Sequence, residues 1–133
     1  MSYSDWERLY AAAQSARQKA YAPYSRLSVG AALACGGGAI VTGCNVENVS
    51  LGLTVCAERN AIGAMVVQGL NPHALAIVAD SKAVVPPCGT CRQVLAEFAA
   101  FSFEIRSRVD SGAEKTWTLE ELLPHAFKAF HLL

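Results

Sequence analysis

A basic surplus is the first thing this chain lacks: lysine plus arginine and aspartate plus glutamate each number 11 over 133 residues. Proteins that concentrate on a phosphate backbone do so with clustered positive charge, so a duplex or single-strand nucleic acid is excluded as the main partner. Long apolar runs are missing as well. No stretch reaches the ~20 residues that cross a bilayer, and no charged start leads into an apolar segment with a small-residue cleavage site, so no membrane partner is expected and the expected compartment is the cytoplasm. Proline is scarce, at 5, and repeats, linkers and low-complexity segments are absent. With 53% hydrophobic residues the chain is expected to form one domain, 1–133, around a buried core. The cysteines are few and odd in number, 5, which without an export signal favours reduced thiols and metal ligation over a disulfide framework.

What is present is a pair of short stretches, Thr54-Val55-Cys56-Ala57-Glu58-Arg59 and Pro86-Pro87-Cys88-Gly89-Thr90-Cys91-Arg92, each placing a thiol where a helix is expected to begin. Cys88 and Cys91 stand three apart, which on a first helical turn brings both sulfurs to one side, within reach of one ion. Cys56 supplies a third ligand. The amides of a helix start carry partial positive charge, which lowers thiol pKa and favours the thiolate that a metal needs. Three protein ligands leave a tetrahedral Zn2+ one short, the mark of a catalytic ion whose water is acidified from ~15.7 to about 7. Glu58, not needed as a ligand, is placed to handle that water's protons. Cys56-Ala57-Glu58 with Pro87-Cys88-Gly89-Thr90-Cys91 resembles throughout the pattern of the zinc deaminases: a His or Cys, a Glu two residues on, then Pro-Cys-x-x-Cys. A lone Cys-x-x-Cys is far less specific, since it also serves redox and structural zinc roles.

Taken in order, Ser4-Asp5, offering a capping residue, precedes Trp6, Leu9, Tyr10, Ala13, Ala16 and Ala20, an apolar stripe at helical spacing that predicts a helix ending near Tyr21. Pro23 forbids its simple continuation, and Ala22-Pro23-Tyr24-Ser25 makes a turn into a buried strand over Leu27 to Cys35. Gly36-Gly37-Gly38 before Ala39 to Asn45 reads as a hairpin. A phosphate cradle is the rival reading, but it lacks the Gly-Lys-Ser/Thr ending and a following helix. Val46 to Val55 is loop-like, with Asn45, Glu47 and Asn48 forming a polar cluster before the thiols. Asn48-Val49-Ser50 also matches a glycosylation sequon, without consequence in a chain with no secretory signal. A helix over Ala57 to Gln68, closed by Gly69 and Pro72, is followed by a short buried strand, Leu75 to Ala79. Pro86-Pro87 introduces a helix from Cys88 to about Ala100, and strands follow over Phe103 to Val109 and Lys115 to Thr118. Thr118 caps a helix over Leu119 to Leu123 with Glu121 in a capping box, and Ala126 to Leu132 makes a last apolar turn. The expected fold class is therefore α/β, with a mixed five-stranded sheet between helical layers. Both thiol-bearing helices start at one edge of it, where sites form in open α/β sheets.

Further stretches, Tyr21-Ala22-Pro23-Tyr24-Ser25, Val29-Gly30-Ala31-Ala32-Leu33, Gly43-Cys44-Asn45-Val46-Glu47-Asn48, Pro87-Cys88-Gly89-Thr90-Cys91-Arg92-Gln93 and Glu121-Leu122-Leu123-Pro124-His125-Ala126-Phe127, resemble in order the small homotetrameric cytidine deaminases. The resemblance covers nearly the whole chain and implies a three-layer α/β/α fold. It implies one zinc per subunit on Cys56, Cys88 and Cys91, Glu58 as proton shuttle, Asn45 and Glu47 on the ribose hydroxyls, and the Ala57 amide against the pyrimidine. It also implies a homotetramer with shared active sites, in which Phe127 lines a neighbour's pocket, and Arg59 as the donor that offsets the charge of three thiolates. The implied substrate is a nucleoside, cytidine or deoxycytidine, and the implied products are the uridine counterpart and ammonia. Two residues depart from the family pattern. Leu27 stands where a Phe usually packs on the base, and Leu51 where a Tyr usually lies near the subunit contact. Forfeiting an aromatic face costs ~1 kcal/mol beyond burial and reshapes the pocket, which keeps substituted cytidines or another small aminopyrimidine as alternative substrates.

Other readings compete at single residues. Cys35 and Cys44 read as core thiols, Arg92 and Gln93 as solvated helix residues, and His73, His125 and His131 as surface or packing residues. Without the family match Asn45 and Glu47 also read as turn residues, and Phe127 as core. A non-catalytic zinc module is the rival from another class, and it needs a fourth protein ligand from Cys44 or a histidine.

Overall fold

Residues 1–132 are described by a computed structural model. The order is α1 (Tyr3–Arg17), β1 (Val29–Cys35), β2 (Ile40–Cys44), α2 (Ala57–Val67), β3 (Pro72–Ala79), α3 (Gly89–Phe98), β4 (Glu104–Val109), β5 (Glu114–Thr118) and α4 (Leu119–Leu122), with single 3-10 turns at Gly36–Gly38, Leu51–Leu53 and Ala129–Leu132. The five strands form the expected mixed sheet, ordered β2-β1-β3-β4-β5. The hairpin pairs β1 with β2 antiparallel, Gly30 opposite Cys44, and β3 runs antiparallel on the other side of β1, Val29 opposite Ala79. The α2 crossover therefore carries the chain from β2 over β1 to β3, and α3 joins β3 to its parallel neighbour β4. Among the described residues no helix is long and apolar enough to cross a membrane.

The period of two along the central strands divides the core between two helical layers. Val29, Ala31, Leu33 and Cys35 of β1 and Leu75, Ile77 and Ala79 of β3 face α2 and α3, where they meet Ala61, Ile62, Met65 and Leu95. Ala32, Ala74, Ala76 and Val78 face α1, which covers them with Trp6, Leu9, Tyr10 and Ala13. Two glycines set how closely the helices approach. A Cβ on Gly30 would lie 1.9 Å from the Ala13 carbonyl oxygen of α1, and one on Gly43 would lie 2.5 Å from the Ala57 carbonyl oxygen of α2. Any side chain at either position would push a helix off the sheet.

Several boundaries differ from the sequence reading. The cap of α1 is Ser2, not Ser4: its Oγ accepts from the Asp5 amide at 3.2 Å, and the Asp5 carboxylate accepts from the Ser2 amide at 2.9 Å. The helix stops at Arg17, because the amides of Lys19 and Ala20 turn back to the carbonyls of Ala16 and Arg17, and Tyr21 already bridges to Val46. The strand β1 starts at Val29 because the Leu27 carbonyl is taken by the Asn45 side chain and the Ser28 amide by Asp80. Pro72, read as the end of a helix, is the first residue of β3, a place where the missing N–H costs no ladder bond. Arg92 and Gln93 are not merely solvated: Arg92 donates to the carbonyls of Pro87 at 2.8 Å and Leu122 at 3.0 Å, and Gln93 to that of Phe127 at 2.8 Å, tying the C-terminal segment to α3. Cys35 is buried as expected, whereas Cys44 is only half-buried.

Candidate active site

Both thiol-bearing stretches end in helix starts at the edge where β1 begins and β2 and β3 finish. Cys56 is the residue before α2 and Cys88 the residue before α3, each in extended backbone conformation. Pro87 is fully buried and its ring fixes the approach to α3. The Cys88 sulfur accepts from the Cys91 amide at 3.4 Å, so a thiol takes the capping role usually held by a hydroxyl or carboxylate. The sulfurs of Cys56 and Cys88 are 3.6 Å apart and those of Cys88 and Cys91 3.3 Å apart. All three lie within 4.8 Å of one another, the one group of three or more metal-ligating side chains among the described residues. Neither Cys44 nor any histidine joins them.

Soft sulfur donors in a set of three fit zinc, and two features favour their thiolate form. The Arg59 guanidinium sits 3.8 Å from the Cys56 sulfur, held there by a second bond to the Thr54 carbonyl at 3.2 Å. The Cys56 thiol is drawn down to about 5, first by the neighbouring Cys91 and then by Arg59. Cys91 moves in the opposite direction, pushed up first by its closeness to Cys56 and then by burial. A divalent ion held there would draw off the thiol protons.

A cavity of about 230 Å³ opens beside the sulfurs, with Cys56 and Cys88 in its wall. Glu58 is part of that wall and only 4% exposed. Burial first, and then the charge of Cys56, raise its carboxyl to about 7. Ala57, fully buried, also lines the cavity, and as the first residue of α2 its amide has no acceptor within the helix. Leu27, Asn45 and Glu47 line the same cavity. The Asn45 side chain is buried and already engaged, accepting from the Val29 amide at 2.8 Å and donating to the Leu27 carbonyl at 2.7 Å. Glu47 accepts from the amides of Tyr24 at 2.9 Å and Ser25 at 3.2 Å and from the Ser25 hydroxyl, which holds its carboxyl below the ordinary value.

Phe127 is the one expected contact that this cavity does not include. It is 57% exposed, stacks on His131 and lines a separate surface hollow with Gln93 and Lys128. Leu51 is also exposed, on the turn before α2. The sequence reading missed Ser25, Thr54, Val85 and Pro86, all in the cavity wall. Only the Pro23 turn gave a signal for Ser25, and the others owe their place to the meeting of α2 with the segment before α3.

The arrangement has relatives. The model of the cytidine and deoxycytidylate deaminase zinc-binding region matches residues 3–104. The cytidine deaminase of Sporosarcina psychrophila is 45% identical over 124 residues, 92% of this chain and 91% of that protein. That of Halalkalibacterium halodurans is 45% identical over 126 residues, 94% of this chain and 96% of that protein. The crystal structure of cytidine deaminase from Burkholderia pseudomallei superposes with a TM-score of 0.87 at 41% identity, covering 96% of this chain and all of the other. With the three-sulfur cluster inside the matched region and both chains covered almost end to end, this chain belongs to the cytidine deaminase family and carries that family's zinc-binding region.

Proposed function

We propose that this chain, acting as one unit over 1–133, converts cytidine and deoxycytidine to their uridine counterparts and ammonia, with Glu58 as the group that moves the protons. The observation that carries this reading is a carboxyl buried in the wall of the same cavity as the sulfurs of Cys56 and Cys88. Cys56, Cys88 and Cys91 would hold the zinc, which would supply an acidified water as the nucleophile for carbon 4 of the pyrimidine. Glu58 would take a proton from that water and deliver it to ring nitrogen 3, then take the proton of the added hydroxyl and deliver it to the departing amine. Water adds, ammonia leaves, and Glu58 ends as it began. Its burial excludes bulk water that would compete for those protons. Arg59 holds Cys56 as a thiolate and limits the excess charge around the ion.

The substrate contacts are those the family resemblance implies, and the cavity lining supports them. Asn45 and Glu47 hold the sugar hydroxyls, the Ala57 amide meets the pyrimidine, and Leu27 closes over the base. The exposure of Phe127 and Leu51 supports a homotetramer with shared active sites, each Phe127 completing a neighbour's pocket. A cytoplasmic place in nucleoside salvage is consistent with all of these.

Leu27 favours one second reading, in which substituted cytidines are handled as well as or better than cytidine because an aliphatic wall leaves more room than a ring. The deciding experiment follows the fall in ultraviolet absorbance with cytidine, deoxycytidine and 5-substituted cytidines, with zinc determined on the same sample. Rapid loss with cytidine supports the first reading. Activity confined to the substituted compounds moves the function to them, and zinc with no activity on any aminopyrimidine leaves a metal-binding module.

A further inference from the structure

Ser25, Leu27, Asn45 and Glu47, which line one cavity with Glu58, are also wired to one another. The Ser25 hydroxyl donates to Glu47 and its oxygen accepts from the Leu27 amide at 3.0 Å. On the other side of the same residue, the Leu27 carbonyl accepts from Asn45 at 2.7 Å. Leu27 is therefore pinned at its amide through Ser25 to Glu47, and at its carbonyl directly to Asn45. Between Ser25 and Leu27 stands Arg26, whose φ of 61° places it in the left-handed region that non-glycine residues rarely occupy. A turn held in that conformation relaxes when its ties are cut, and three of them end on the Glu47 carboxylate.

We propose that Ser25 is a positioning residue that joins the sugar-facing Glu47 to the base-facing Leu27, so that one hydrogen-bonded unit reads both halves of the nucleoside. This rests on the reading of Glu47 and Leu27 as substrate contacts. A carboxylate bound to a sugar hydroxyl keeps its orientation through Ser25, and the same hydroxyl sets how far Leu27 reaches over the ring. Loss of the Ser25 hydroxyl then disturbs base discrimination although its tie to Glu47 belongs to the sugar side.

The test is steady-state kinetics on the zinc-loaded protein with cytidine and a 5-substituted cytidine. Ser25→Ala is expected to lower kcat/KM for cytidine about tenfold, the scale of one hydrogen bond to a charged group, almost entirely through KM. The ratio of kcat/KM between the two substrates is expected to shift as it does in Leu27→Ala. Ser25→Thr, which keeps donor and acceptor, is expected to restore both, with zinc content and melting temperature unchanged throughout. If Glu47→Gln and Leu27→Ala raise KM while Ser25→Ala behaves as wild type, or if Ser25→Ala raises KM with the ratio unmoved, the link through Ser25 is wrong and the contacts stand. If Glu47→Gln and Leu27→Ala leave KM as in wild type, the contacts themselves are wrong and the link falls with them.

Discussion

The two faces of the sheet are built from the same strands and end in different things. On the α1 face, small residues of β1 and β3 lie under the large rings of Trp6 and Tyr10. Arg106 and Arg108 of β4 lie over those rings at 4.1 Å and 3.8 Å, and Arg108 also pairs with Glu7 at 2.7 Å and Glu114 at 2.9 Å. On the other face the strands present Leu33, Leu75 and Ile77, and the helices that cover them start together beside the sulfurs. One helix lying along a sheet buries area and does little else. Two helices whose starts converge bring unpaired amides, thiols and a buried carboxyl to one point, where charge can be handled.

The sharpest way to break that contrast is Glu58→Gln. Turnover is expected to fall by roughly 10²- to 10⁴-fold, the range of a general acid–base group, while zinc content and melting temperature stay near wild type. Ammonia release and metal analysis on one sample check it, and near-wild-type turnover would remove Glu58 from its role.

Paired glycine substitutions come next. Gly30→Ala and Gly43→Ala each force a helix away from the sheet, and each is expected to cost about 1–3 kcal/mol of stability or more by denaturant unfolding. The two differ in what moves. Gly30→Ala presses on Ala13 and Arg17 of α1, whereas Gly43→Ala presses on Ala57 and Ala61 of α2, beside Cys56 and Glu58. Only Gly43→Ala should speed zinc loss to a chelator under conditions where both variants are folded.

A smaller effect is expected within the site. Leu27→Phe should improve kcat/KM for cytidine relative to a bulky 5-substituted cytidine by about fivefold, corresponding to ~1 kcal/mol from an aromatic face. An unchanged ratio would show that the cavity wall at Leu27 does not discriminate.

The smallest effect belongs to the α1 face. Glu7 sits below its ordinary value of 4.5, first because Arg108 donates to it. A carboxyl with a depressed folded pKa stabilises the fold above its unfolded value, and that contribution is lost as pH falls through the folded one. Glu7→Gln should therefore flatten the decline of melting temperature on acidification below about pH 4.5, with turnover at neutral pH unaffected. Equal acid sensitivity of the two proteins would show that the ion pair does not couple to folding.

Much of the site was legible because its signals are local. The i, i+3 spacing of Cys88 and Cys91, the prolines that open α3 and the glutamate two residues after Cys56 depend only on backbone geometry over one helical turn. Helix and strand identities followed from apolar periods of 3.6 and 2. Less legible was anything that depends on a partner distant in sequence. Ser2 rather than Ser4 caps α1, since two serines in one short segment offer the same signal. Arg92 read as solvated because its acceptor, the Leu122 carbonyl, lies 30 residues away. The brace that Asn45 gives Leu27 and Val29 follows from the meeting of two loops.

By itself the sequence determined the three-thiol cluster, the class of fold and the family resemblance, because each resides in residue identity and short spacing. The tertiary structure alone decided that β3 pairs with β1 and not β2, that Gly30 and Gly43 are points of close approach, that Phe127 lies outside its own chain's cavity, and that Ser25 stands between Glu47 and Leu27. The physical reason is that burial and hydrogen-bond satisfaction are settled over the whole chain at once: a donor or a cavity wall takes its place only when segments far apart in sequence have been packed against each other.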